Sequence, residues 1–378
     1  MKNILIVSVI ILVLLTSSIL GLILNSTRSV DSVDAKKGSF SLSQEIEDLS
    51  LLPYGIMWTP DSHISYISLP NGIRRYFISG NQRTYYIDVA GSQTLEEAIK
   101  DNPILIECFG PDINVPHKNG YSTIASVLQT DEGNPYHVIG IAQNEAQKVN
   151  PDGSLDFANF TTSISLLESY NGGASWKDYG PVIRGDDFLE PGTRITGAGH
   201  PSAAVIDGYV YVYYVDWPTQ IKVVHPAQIY LARAQVLPDG KVSNFEFYKD
   251  GGFSLGEFDL KPVIPAGTNT ESEYTSLPSV SYNESLKKYL AIYETNFGFS
   301  MAVSSNGINW SGHKTIFDFP KPQIERQFDD IWYSYPSLLS DGSQPNDQIT
   351  DETGNLYFSK GFWPNTAHQL IRKSFSFK

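Results

Sequence analysis

Apolar positions in this chain gather in many short runs, most too brief for a helix and most closed by Gly, Pro, Asn or Asp. The clearest case is Gly199-His200-Pro201-Ser202-Ala203-Ala204-Val205, followed by Ile206-Asp207-Gly208 and then Tyr209 through Trp217. Apolar, β-branched and aromatic residues flank an Asp-Gly pair that accepts positive φ, so this stretch predicts two strands joined by a tight turn. Helical periodicity is convincing only at residues 94–100, where Thr94 and Glu97 have the spacing of a capping box.

The opening of that hairpin recurs. A short apolar strand led by a Ser or Thr signal is found at His63-Ile64-Ser65, Tyr121-Ser122-Thr123, His200-Pro201-Ser202, Leu277-Pro278-Ser279 and Tyr335-Pro336-Ser337. Five copies, each trailed by two or three further strand patterns, predict an all-β fold: a five-bladed β-propeller. The fifth unit ends one strand short, and a segment near Leu51–Tyr54 is expected to supply the missing strand and close the ring.

Ahead of the propeller, Met1-Lys2-Asn3 precedes an apolar run from Ile4 to Leu24, long enough to span a bilayer as a helix. Residues 1–25 read as an uncleaved signal anchor or, alternatively, a cleaved signal peptide; both export the remainder of the chain. Residues 26–48 read as a flexible stalk and residues 49–378 as the propeller. The expected location is extracytoplasmic, membrane-anchored through the N-terminal helix, or secreted if that helix is removed.

Composition narrows the function. The net charge of −14, with no basic stripe, excludes a nucleic-acid partner. The lone cysteine, Cys108, lies in a strand pattern and reads as a small apolar residue. No Asp-x-Asp-x-Asp-Gly calcium loop, phosphate loop or Gly-x-Ser-x-Gly elbow occurs, so no cofactor and no dedicated metal loop are expected.

Two turns carry a family signature: Ser169-Tyr170-Asn171-Gly172-Gly173-Ala174-Ser175-Trp176 and Ser304-Ser305-Asn306-Gly307-Ile308-Asn309-Trp310. They resemble the Asp-box of sialidases and related propellers, with Asn171 and Asn306 where Asp is usual. An Asx side chain there bonds the turn backbone, Gly takes positive φ, and Trp plugs between blades. In overall pattern, residues 50–378 resemble the five-bladed propeller glycoside hydrolases of the arabinanase, xylosidase and invertase type. That resemblance implies a glycosidase with a pair of carboxylates in an axial pocket and a carbohydrate as substrate. The Asn-Asp-Pro-Asn and Arg-Asp-Pro signatures of the invertase type are absent. A non-catalytic propeller that binds glycan or protein at the cell surface is therefore the second reading.

Topology sorts the candidates. Residues just before an inner strand and just after a second strand share one face, and the Asn-Gly turns fall on the other. The first group holds Asp61, His63, Tyr121, Gly199, His200, Glu273, Tyr274, Asp329, Asp330, Tyr333 and Tyr335; the second holds Glu145, Asp216, Trp217, Glu294, Lys360 and Trp363. By the resemblance, Asp61 is the first-blade base or nucleophile. Asp216 is the candidate transition-state stabiliser and Glu273 the candidate general acid, with Glu294 in reserve. His63, His200, Trp217, Tyr274, Glu294, Tyr333, Tyr335 and Trp363 are the candidate sugar contacts. Each carboxylate has the alternative of a solvated loop acid. The two histidines fit a sugar hydroxyl, a central structural ion or hydrogen-bonded plugs at the axis.

Overall fold

The computed structural model describes residues 39–44, 47–49, 59–90, 93–101, 105–185, 195–217, 227–267, 274–341, 344–362 and 368–377. The apolar run at 4–24, the segment Leu51–Tyr54, Glu273 and Trp363 lie outside them. Among the described residues no helix is long and apolar enough to cross a membrane.

The strands form five antiparallel units. Blade 1 is Ser65–Ser68, Ile73–Gly80, Arg83–Ala90 and Ile106–Phe109; blade 2 is Tyr121–Leu128, Val138–Val149, Leu155–Ser169 and Lys177–Ile183. Blade 3 is Ile195–Ile206, Tyr209–Trp217, Gln228–Gln235 and Glu246–Lys249; blade 4 is Thr275–Asn283, Lys288–Thr295, Gly298–Ser304 and Ser311–Asp318. Blade 5 is Ile331–Ser340, Thr353–Phe362 and His368–Phe377. A short parallel pairing of Ile195–Gly197 with Phe160–Thr162 stitches blades 2 and 3 into one continuous sheet. The helix, Leu95–Asp101, sits before the outer strand of blade 1, with Thr94 N–H on Glu97 (2.9 Å) and Glu97 N–H on Thr94 Oγ1 (3.2 Å).

The inner two strands of each blade are buried on both faces, which is why they read as apolar runs instead of alternating. Along Tyr209–Trp217, Val210, Val212 and Tyr214 pack toward blade 2, while Tyr211 and Tyr213 pack toward blade 4. Five such clusters exist, one in each seam between neighbouring blades, the last joining blade 5 to blade 1 through Leu339, Tyr357 and Leu370.

A polar ring closes the same circle around the axis. One serine hydroxyl per inner strand accepts the backbone N–H of the next: Val127 to Ser65 (2.9 Å), Ala203 to Ser126 (3.0 Å), Val280 to Ser202 (3.0 Å), Leu338 to Ser279 (3.4 Å) and Ile64 to Ser337 (2.9 Å). This ring corrects the repeat in blade 2. Its counterpart of His200-Pro201-Ser202 is Ile124-Ala125-Ser126, three residues beyond the expected Tyr121-Ser122-Thr123. The backbone decides the match, because blades 2 to 5 each bulge just before the ring serine. At three of these bulges a non-glycine residue takes positive φ: His200 (48°), Leu277 (50°) and Tyr335 (56°).

Closure of blade 5 also differs from expectation. Phe40–Leu42 pairs antiparallel with Phe375–Phe377, and Glu47–Asp48 pairs with Ile371 and Arg372, so strand begins inside the segment read as stalk. Phe40 supplies the driving force, packing on Phe375 and Phe377 at centroid distances of 5.8 and 5.2 Å.

The two Asn-Gly turns join third to outer strands, away from the inner-strand openings. Asn171 Oδ1 accepts Ser175 N–H (3.0 Å) and Asn306 Oδ1 accepts Asn309 N–H (3.0 Å). Trp176 then packs on Phe77 of blade 1, and Trp310 on Tyr213 of blade 3. At that end the loop 344–350 of blade 5 crosses beneath the axis. Asp347 accepts Ser65 Oγ–H (2.9 Å) and Tyr66 N–H (3.1 Å), while the Gln348 side chain bonds Val205 N–H and Val127 O. Tyr282 N–H donates to Gln348 O at 2.7 Å, so one loop ties together the inner strands of the other four blades.

Candidate functional site

The opposite end of the axis collects acids and aromatics. Asp61 leads into blade 1, its N–H on Ser79 Oγ (3.0 Å) and its backbone carbonyl accepting the Tyr121 hydroxyl. Its carboxyl accepts the hydroxyl of Tyr335 from the neighbouring blade 5. Glu145 lies within the second strand of blade 2, in register with Tyr121 at the start of the inner strand. Gln143 and Gln147, on the same face of that strand, donate to its two oxygens at 3.1 and 2.8 Å. Glu294 ends the second strand of blade 4, opposite Ser276. It accepts Tyr274 O–H (3.2 Å), Gln323 Nε2–H (3.1 Å) and Ser334 O–H (2.6 Å).

These three carboxyls share Tyr335. Each raises the pKa of the Tyr335 hydroxyl, which lies well above its ordinary value chiefly through burial. The acids are themselves displaced. Burial lifts Asp61 to about 7, opposed by the Tyr335 hydrogen bond. Glu145 rises to about 8, through burial first and the Asp61 charge second. Burial lifts Glu294 to about 7 against Ser334, Arg326 and Tyr274. Asp61 and Glu145 keep a partly accessible edge, whereas Glu294 is buried.

Two imidazoles lie at the same end of the axis. His63 Nδ1 faces the Pro336 carbonyl at 2.9 Å; a carbonyl only accepts, so the proton sits on Nδ1 and Nε2 is a bare acceptor. Burial lowers its pKa to about 4, so the ring is neutral, and Nε2 makes no hydrogen bond among the described residues. His200 is lowered to about 3 by burial and by His63. Its N–H donates to Gln143 Oε1 (2.6 Å), and its ring meets Trp217 edge-on at 4.9 Å and Tyr335 at 6.2 Å. His368 stacks on Tyr335 from the other side.

The structure thus brings Asp61, His63, His200, Trp217, Tyr274, Glu294 and Tyr335 to one end of the axis. Tyr333 has its ring in the aromatic packing of Phe317, Phe319 and Phe358, and reaches the site only through its carbonyl, which accepts Gln323 Nε2–H at 3.0 Å. Asp216 sits on the Tyr214 face of its strand, against Gly185 and near Tyr214 and Tyr230 in the seam between blades 2 and 3. Glu273 and Trp363 lie outside the described residues. Glu145 stands among the face residues in sequence but not among the chosen acids. Its signal is the period of two in Gln143-Asn144-Glu145-Ala146-Gln147, which sets three polar side chains on one strand face directly after an apolar run. Among the described residues no group of three His, Cys, Asp or Glu is arranged to hold a metal ion.

No protein-family model and no curated protein matches the chain by sequence. Solved structures do match. An α-L-arabinofuranosidase from Lactobacillus brevis aligns over 84% of this chain and 91% of its own, with TM-score 0.51 and 12% identity. A GH62 hydrolase in complex with xylotriose aligns over 89% of this chain and 96% of its own, with TM-score 0.50 and 10% identity. The chain has the five-bladed propeller fold of these glycoside hydrolases. Identities this low speak for the fold; chemistry has to be read from the residues.

Proposed function

We propose that the protein is a glycoside hydrolase whose reaction centre is formed by Asp61, Glu145 and Glu294. The observation that carries this reading is the set of three carboxyls around Tyr335, each raised to between about 7 and about 8 by burial at the open end of the axis. Glycoside hydrolysis needs one carboxyl ionised and another protonated at the same pH, and environments that lift carboxyl pKa values toward neutrality supply both states. Ionised Asp61 assists attack on the anomeric carbon, as base toward water or as nucleophile itself. Glu294 gives its proton to the departing oxygen. Glu145 titrates after Asp61, so it carries the pair's proton while Asp61 is charged; Gln143 and Gln147 fix its orientation. The bare Nε2 of His63 accepts a sugar hydroxyl, and Trp217 with Tyr274 supplies ring contacts to the sugar.

The solved neighbours point to the first substrates to try: α-L-arabinofuranosides, and xylan-type chains like the xylotriose bound in one of them. The apolar run at residues 4–24 supports an exported, membrane-tethered protein. The purified protein is to be assayed on a panel of aryl glycosides and oligosaccharides beside Asp61→Asn, which is expected to lower turnover by roughly 10²–10⁴-fold. No turnover of any substrate, or turnover untouched by that change, overturns the proposal. Retained binding of the same sugars without turnover then assigns the non-catalytic glycan-binding role.

A further inference from the structure

We propose that Phe328 is a stacking platform for the departing part of an extended glycan, so that the site selects a sugar carried on a chain over a small free glycoside. This rests on the glycosidase reading above. At 76% exposure Phe328 is the most exposed large apolar side chain among the described residues. The exposure is built rather than loose. The turn Gln327-Phe328-Asp329-Asp330 is closed by Gln327 N–H on Asp330 Oδ2 (2.6 Å) and Asp330 N–H on Gln327 O (3.0 Å). Asp329 takes positive φ (63°), and Lys321 clamps Asp330 at 2.8 Å.

The position of the turn gives the ring its role. The same segment delivers Gln323 to Glu294, and Arg326 Nε–H holds the Gln323 carbonyl at 2.9 Å. Phe328 therefore lies on the turn that follows Gln323 and leads into the inner strand of blade 5, at the same end of the blades as Glu294, where a chain extending from the sugar site can reach it. Two further exposed rings share this end of the blades. Phe297 (36%) follows the second strand of blade 4 and accepts Phe319 N–H through its carbonyl, and Phe362 (44%) ends the second strand of blade 5, paired with Ile331. A phenyl ring fixed in water is unfavourable unless something covers it. The C–H face of a pyranose or furanose offers a flat apolar surface to such a ring while its hydroxyls stay in water.

The test compares Phe328→Ala and Phe328→Trp in the full-length protein on p-nitrophenyl α-L-arabinofuranoside and on arabinoxylan. The ratio of kcat/KM on the polymer to that on the aryl glycoside is expected to fall about tenfold in Phe328→Ala, mainly through KM, and to be restored in Phe328→Trp. Gel electrophoresis through arabinoxylan gives a second readout, in which the polymer retards the wild type and the Trp variant but not the Ala variant. An unchanged ratio, or retardation indifferent to residue 328, overturns the platform. A wild type that turns over no glycoside yet is retarded in a Phe328-dependent way overturns the hydrolase reading and upholds the platform.

Discussion

Glu145→Gln separates a carboxyl that exists for chemistry from one that stabilises the fold. Burial and the Asp61 charge move Glu145 from its ordinary 4.5 to about 8 in the folded protein. A raised carboxyl pKa means that the folded state binds the proton more tightly than the unfolded chain. Below pH 4.5 both states are protonated, and Glu145 contributes no penalty. As pH rises through the window from 4.5 to about 8, the unfolded chain has already ionised while the folded one has not, so stability falls. At 1.36 kcal/mol for each pH unit of that window, the full cost above pH 8 is about 5 kcal/mol. Gln keeps the shape and never ionises; its Oε1 accepts the Gln143 N–H, and its NH2 is satisfied once the Gln147 amide turns over to present its own unpartnered Oε1. The variant should match the wild type at pH 4.5 and exceed it by up to about 5 kcal/mol at pH 9, roughly 7 °C in Tm for a domain of this size. Calorimetric melting of both proteins at the two pH values is the assay. A Tm difference that is the same at both, or a variant less stable at pH 9, refutes the buried, Asp61-coupled carboxyl.

Two further perturbations test the site and the frame. With Asp61 and Glu294 both near 7, the productive pair of one ionised and one protonated acid peaks at about a quarter of the enzyme, so the wild type should show a narrow bell near neutrality. Glu294→Gln should remove the alkaline limb and lower the rate on poor leaving groups by roughly 10²–10⁴-fold, with most of it recovered on a dinitrophenyl glycoside that needs no proton; a bell unchanged by the substitution rules out Glu294 as the acid. In the axial ring, Ser202→Ala strands the Val280 N–H and should cost about 1–3 kcal/mol. Ser65→Ala should cost more, because Ser65 serves both Val127 and Asp347; chemical denaturation that ranks Ser202→Ala as the worse of the two counts against the ring and the axial loop acting together.

Most of the frame was legible because propeller strands are buried on both faces, and Tyr209 to Val215 shows this as an unbroken apolar run between turn residues. The two Asn-Gly turns and the Thr94–Glu97 cap were legible for a local reason: each is a set of hydrogen bonds within a few residues. What escaped was decided at a distance. Phe40-Ser41-Leu42 is too short to carry a period and becomes strand only because Phe375 and Phe377 offer it an edge. Tyr121-Ser122-Thr123 has the right residue types for the repeat, but the bulge places Ser126 on the ring. Asp216 and Trp217 are neighbours on one strand, and a step of one residue sends a side chain to the other face. Trp217 meets His200, while Asp216 turns into the seam. Glu145 looks like the polar end of a strand until Asp61 arrives from another blade.

The arrangement along the axis explains how a regular frame carries an irregular site. Each inner strand meets the site first, then, in blades 2 to 5, the bulge, then the ring serine, and finally the region tied by the loop 344–350. The serine and the backbone hold the ring, so the residue two positions earlier is free to vary. In blade order that position holds His63, Ile124, His200, Leu277 and Tyr335. Blades 2 and 4 place apolar side chains there, which pack away, and blades 1, 3 and 5 place two imidazoles and a phenol that meet across the axis. The three acids come from blades 1, 2 and 4, with Asp61 and Glu294 bonded to residues of blade 5 and Glu145 to its own strand. The positive φ at His200 and Tyr335, costly for residues with a Cβ, recurs at Leu277 and so belongs to the bulge itself. At His200 and Tyr335 that bulge presents a polar ring to the site and at Leu277 it carries an apolar side chain, so the side chain chosen at the position, not the backbone, distinguishes blades 3 and 5 from blade 4.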